Sequence, residues 1–260
     1  MKSTTSIVFT VPVVVITIAY ATGSHGRSAH QESRYLSLAE GYAPVIYQET
    51  KSVQLDALTR FDYDCDWNGA NNWRNAYLYS HPPSVYYAVV ESENYYFITY
   101  AFFHARDWTA HPIEGFAPKV EHENDMEGCQ LLIAKNSGSF GNLWAMETLA
   151  HDRFYLYLPR DRLDLAGSKR VAGTLLTKGN GHQPCVHIEP EGHGVFGQTD
   201  ASFAFSPQKP GIVYQYQPGI YPSDTPRPME TGVGYRLLSI EDELWSRRYQ
   251  IGDQQTYCCA

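Results

Sequence analysis

The sequence is poor in several features that would announce a function. It has no run of lysines or arginines and a formal net charge of -8, so a nucleic-acid groove or a polybasic membrane anchor has no support. Its five cysteines include no CxxC pair, which removes a zinc knuckle. No strand pattern runs into GxGxxG, so a dinucleotide-binding fold fails as well. Charged residues make up only 18% of the chain, and helix signals are few. The apolar stretch from Ile7 to Ile18 is shorter than the ~20 residues a spanning helix needs and contains Pro12 and Thr17.

What is present points to strands. Of 260 residues, 43% are apolar and 14% aromatic, enough for one sizeable core. Twenty tyrosines with 20 glycines and 15 prolines suit strands joined by turns. Lys2, the apolar run and the small-residue triplet Ala19-Tyr20-Ala21 read as an export signal over residues 1–21, which makes the mature chain secreted. Residues 22–41 read as a flexible entry, 42–250 as one β-sandwich domain, and 251–260 as a polar tail. Export permits disulfides, but the odd cysteine count and the spacings give no framework.

Aromatic and β-branched clusters predict strands at Pro44 to Tyr47, Val85 to Glu91, Tyr95 to Phe103, Gly128 to Ala134, Phe154 to Leu158, Val186 to Ile188 and Ile212 to Tyr216. Ser92-Glu93-Asn94 predicts a hairpin turn, and Gly192 to Gly197 a loop. Ser239, acids in the next turn and Arg247-Arg248 predict a short C-terminal helix. The fold class expected is all-β: an antiparallel two-sheet β-sandwich with long loops.

Chemistry concentrates in Glu121-His122-Glu123-Asn124-Asp125-Met126-Glu127, four carboxylates and an imidazole directly before an apolar run. In extended chain Asp125 and Glu127 share a face, and adjacent carboxylates repel unless a cation or protons neutralise them. His122 can join them from the preceding turn, giving an imidazole and carboxylate set that suits a divalent cation. HExxH is absent because Met126 stands where the second histidine would be, which removes a zincin protease. Two further places can reach the site: the strand end His104-Ala105-Arg106-Asp107-Trp108, and the glycine-flanked His193 after His187-Ile188-Glu189. An ordinary strand-end ion pair is the plainer reading of His104 and Arg106.

Together these places resemble the necrosis and ethylene-inducing peptide 1-like proteins, whose heptapeptide is GHRHDWE, and the related Vps62-like family, which shows HEGDWEH. The likeness spans roughly Tyr42 to Phe196. It implies a β-sandwich with a divalent cation held by Asp107, His122, Asp125 and Glu127, with His193 nearby. Asn124, Met126 and Glu121 depart from the cytolysin heptapeptide, and Glu123 matches the Vps62-like version. The cofactor expected is a divalent metal cation, Mg, Ca or Mn ahead of Zn. The partner expected is a polar lipid headgroup or a glycan, with no nucleic acid. The alternatives are a metal-dependent hydrolase, with His104, Glu123 or His193 as general base, and a surface protein whose ion only ties loops together.

Overall fold

Strands form wherever the sequence predicts them and at six further places. The computed structural model describes residues 28–108, 121–136, 140–166 and 171–248. In chain order the elements are α1 (Ala29–Gly41), β1 (Val45–Glu49), α2 (Val53–Asp56), α3 (Asn72–Asn75), β2 (Ser84–Glu91), β3 (Tyr95–Asp107) and β4 (His122–Ala134). There follow β5 (Asn142–Ala150), β6 (Arg153–Leu158), a 3-10 turn (Arg160–Ala166), β7 (Val171–Thr174), β8 (Thr177–Lys178) and β9 (Gln183–Ile188). The last are β10 (Val195–Gly197), β11 (Gly211–Tyr214), β12 (Thr231–Val233), β13 (Arg236–Ser239), α4 (Ile240–Glu243) and a 3-10 turn at Trp245–Arg247.

The strands make two sheets. One runs β10-β9-β1-β11-β12 with β8 on β9, and the other runs β13-β2-β3-β4-β5-β6-β7. The meander from β2 to β6 is antiparallel as expected, and Ser92 N donates to Tyr95 O at 2.9 Å in its first turn. The sheets as wholes are mixed, because β1 lies parallel to β9, β11 to β12, β13 to β2 and β6 to β7. Partners such as β1 and β9 are separated by the whole meander, so the long connection that a parallel pair needs is already made by other strands.

Ile46, Val186, Ile188 and Ile212 of the first sheet meet Val85, Ile98, Tyr100, Phe102, Leu131 and Met146 of the second in one buried cluster. Tyrosine fills this core because its hydroxyl finds backbone acceptors. Tyr100 donates to Ala39 O at 2.7 Å, and Tyr235 donates to Pro44 O at 2.8 Å.

Two expectations change. The stretch read as a flexible entry is helical from Ala29 to Gly41, with Ser28 Oγ accepting from Gln31 N at 3.2 Å and Tyr35, Leu38 and Ala39 buried. Those three apolar positions share one helix face, a signal masked by the polar residues around them. The segment read as a loop from Gly192 contains β10, which pairs antiparallel with β9. The C-terminal helix forms with Ser239 capping Asp242 N, but α4 ends after four residues. The expected segments 1–21 and 251–260, with Cys258 and Cys259, lie outside the described residues. Among the described cysteines, Cys65 is disulfide-bonded, while Cys129 and Cys185 are free and buried.

Candidate functional site

The acidic motif is the first half of β4 rather than a turn before it. Register with β3 sets His104 opposite Asp125, Phe102 opposite Glu127, and Asp107 opposite His122. Asp125 and Glu127 alternate with exposed Met126 and are both buried, as the two-residue period requires. The alternation breaks at Asn124, whose φ is 61°. Asn124 then holds the segment before α3 and Glu123 holds α3 itself: Asn124 Nδ2 donates to Gly69 O at 2.7 Å, and Trp73 N donates to Glu123 Oε1 at 2.8 Å.

His193 enters from the loop between β9 and β10. Its φ is 49°, a left-handed conformation, and a Cβ on the adjacent Gly194 would come within 2.9 Å of Glu189 Oε1 and 3.1 Å of Ala150 Cβ. The ring is fully buried, with Nδ1 2.8 Å from Asp125 Oδ2 and Nε2 3.1 Å from Asp56 Oδ1. Burial alone would depress its pKa, but the hydrogen bonds and charges of the two aspartates outweigh it and raise the imidazolium to about 9. Asp56 is likewise buried. Its burial acts to raise its pKa, yet bonds from His193 and from backbone amides hold it below the usual carboxylate value. Oδ2 accepts from Lys51 N and Ser52 N at 2.7 and 2.9 Å, and Oδ1 from Trp108 Nε1 and Glu191 N at 2.8 and 3.0 Å.

His104 stacks on His193, with ring centroids 3.8 Å apart and planes 6° from parallel. Two adjacent buried imidazoles cannot both carry charge cheaply. Burial, and then the charge of His193, push His104 well below its ordinary pKa, so it is neutral. Its tautomer follows from Gln48, whose amide nitrogen donates to Glu49 O at 3.0 Å and approaches Glu189 O at 3.5 Å. The Gln48 oxygen therefore accepts from His104 Nε2 at 2.9 Å, and the lone pair of His104 sits on Nδ1. That nitrogen is buried and has no hydrogen-bond partner among the described residues.

Of the residues expected as metal ligands, the structure brings Asp125 and His193 together and joins His104 to them. Ligand atoms of these three lie within 4.8 Å of one another. Glu127 is taken up by His151 N at 2.7 Å and Val195 N at 3.3 Å; burial, opposed by the His151 amide and aided by Asp125, raises its pKa to about 7. Asp107 and His122 face each other farther along the strands, Oδ2 to Nε2 at 3.8 Å, with the His122 side chain 49% exposed. Arg106 makes the plain ion pair expected of a strand end, with Glu121 at 3.4 Å. His187 pairs with Glu49, and Glu189 with His151.

Asp56 and Gln48 lie outside the motifs that the sequence presents, whereas Trp108 closes the strand end that begins at His104. For Asp56 a signal exists: it stands between Leu55 and Ala57-Leu58, and an acid inside an apolar run is a mark of paired burial. Left-handed backbone also gathers here. Among the described residues seven non-glycine positions have positive φ, and Asn124, His151, Glu191 and His193 flank this cluster. Such strain concentrates where surrounding contacts over-determine the chain, as at ligand sites.

No protein-family model and no curated protein matches the sequence. Solved structures are similar in part. One described as a toxin fold for microbial attack and plant defense has a TM-score of 0.43 and 13% identity, over 83% of this chain and 78% of that one. NLPPya in complex with glucosamine has a TM-score of 0.43 and 14% identity over the same shares. Necrosis and ethylene inducing protein 2, from the causal agent of cocoa's witches' broom disease, has a TM-score of 0.41 and 10% identity, over 82% and 77%.

Proposed function

We propose that this chain is a secreted β-sandwich that binds one divalent cation through His104, Asp125 and His193, and uses it to set the loops that meet a polar headgroup or glycan. The observation that carries this reading is the His104 Nδ1 lone pair, buried and unpartnered beside a carboxylate and a second imidazole. An orphaned buried acceptor is costly, and a cation relieves it. Gln48 would hold the other nitrogen of His104, and Asp56 that of His193, the orienting bonds that ligating histidines ordinarily make. When bound, the ion would replace the Nδ1 proton of His193, which would leave to solvent, and would supply the positive charge against Asp125. Two imidazoles and one carboxylate suit Mn or Zn better than the Mg or Ca favoured from the acidic sequence motif. Both imidazoles are fully buried, which favours binding over hydrolysis by a metal-activated water. Membership of the Vps62-like or necrosis-inducing proteins belongs to the same proposal and rests on motif spacing; secretion rests on the export signal.

One observation favours a second reading. Both nitrogens of His193 are already engaged by carboxylates, so the cluster can also stand as a metal-free charged clamp. Elemental analysis of the purified chain, followed by melting with and without chelator, separates the two. The cation reading expects bound metal and a lower melting temperature in chelator, with both lost in Asp125→Asn and His104→Gln. Absence of bound metal, no stabilisation by added Mn or Zn, and no chelator effect would leave only the clamp.

A further inference from the structure

A cavity of about 420 Å³ lies beside the 3-10 turn after β6. It stands apart from the candidate cation site: Asn142 on its rim pairs with Ala134, nine residues along β4 from Asp125, roughly 30 Å at strand rise. Its lining is basic and polar, with Arg160, Arg162, His182, Asn142, Thr177 and Asn180, in a chain whose net charge is -8.

Arg162 sets the chemistry. Its guanidinium carbon lies 3.7 Å from the centroid of the Trp144 ring, so the group is held flat by stacking. Nη1 is buried and has no hydrogen-bond partner among the described residues. Among the described residues the one acid in the lining is Asp161, which comes only to 3.9 Å of Nε and is itself 77% exposed. A guanidinium has five N–H donors and no acceptor capacity, and its planar fork fits two oxygens of one anionic group. Arg160 and His182 add further donors at the same cavity. The volume is within the ~300–1,000 Å³ of small-molecule sites. A bare oxyanion would leave most of it unfilled, whereas Asn142, Thr177 and Asn180 suit the hydroxyls of a sugar-sized body.

We infer that this cavity binds a monosaccharide-sized polar ligand carrying an oxyanion, gripped by Arg162. Calorimetric titration of the full chain with glucuronate, glucose 6-phosphate and glucose tests it, and the first two separate a carboxylate from a phosphate source. At least one anionic sugar is expected to bind with an affinity that falls as salt rises, and glucose at least about tenfold more weakly. Arg162→Gln and Arg162→Lys should each weaken the anionic sugar by about tenfold or more, since the lysine keeps the charge but loses the fork. Asn180→Asp, at an exposed turn position that tolerates aspartate, should weaken it likewise while the melting temperature stays unchanged. No binding of either anionic sugar at millimolar concentration, equal binding of glucose, or undiminished binding in folded Asn180→Asp and Arg162→Gln would overturn the inference.

Discussion

His193 is the residue on which the candidate site turns, because two carboxylates from different parts of the chain close on its two nitrogens. Taking it away leaves Asp56 and Asp125 buried without their counter-charge. His193→Ala should therefore lower stability by ~3–5 kcal/mol in denaturant unfolding, the cost of breaking a buried ion pair. A loss below ~1 kcal/mol would mean that water reaches the aspartates. His81 makes the opposite case: it is buried edge-on against Tyr63, and burial lowers its pKa to about 4 from 6.5. The unfolded chain takes up this proton as pH falls through 6.5, while the folded chain refuses it until about 4. Stability from neutral His81 is thus complete above 6.5 and declines toward pH 4, by up to ~3 kcal/mol. His81→Phe keeps a ring on Tyr63 and removes the titration, so its unfolding free energy should fall less steeply between those pH values. Parallel curves for the two proteins would show that His81 is solvated when charged.

Strand β4 carries the chemistry, and Gly128 decides how closely it lies on β3. A Cβ at that position would come within 2.2 Å of the Tyr100 carbonyl oxygen, a backbone atom that cannot move without parting the strands. Gly128→Ala should cost ~2–3 kcal/mol and disturb the His104–Asp125 register. Gly181→Ala is the comparison: its φ of 88° is strained for alanine, but nothing lies within 4 Å of the added carbon, so ~1 kcal/mol is expected. Equal losses in chemical denaturation would remove the close-approach account. The pairing of Asp125 and Glu127 on one face was legible in the sequence because the strand period is fixed. His104, which lies opposite Asp125, was legible only as a strand-end residue, since no local pattern records the register between two strands.

At the scale of the whole molecule, polar bonds cross between the sheets at the same end. Gln48 of β1 meets His104 of β3, and His193 beyond β9 meets Asp125 of β4. The apolar cluster drawn from both sheets fills the space between them. Neither sheet can lose its partner without exposing that cluster, so unfolding should be one cooperative transition. Tryptophan fluorescence and far-ultraviolet circular dichroism should report the same denaturant midpoint. Two separate midpoints would show that the sheets stand independently.

The sequence by itself determined the β-rich class, seven of the strands, the hairpin at Ser92 and the cap at Ser239, because strand period, turn chemistry and capping are local properties of a few neighbouring residues. It also marked Asp125 and His193, by charge density beside an apolar run and by flanking glycines. Only the tertiary structure decided that the sheets are mixed, that Ala29 to Gly41 is a helix, and that Asp56 and Gln48 complete the cluster. Those outcomes depend on which distant surfaces bury one another. Asp56 and Asp125 stand 69 positions apart in the sequence, and no local pattern records that a single imidazole joins them.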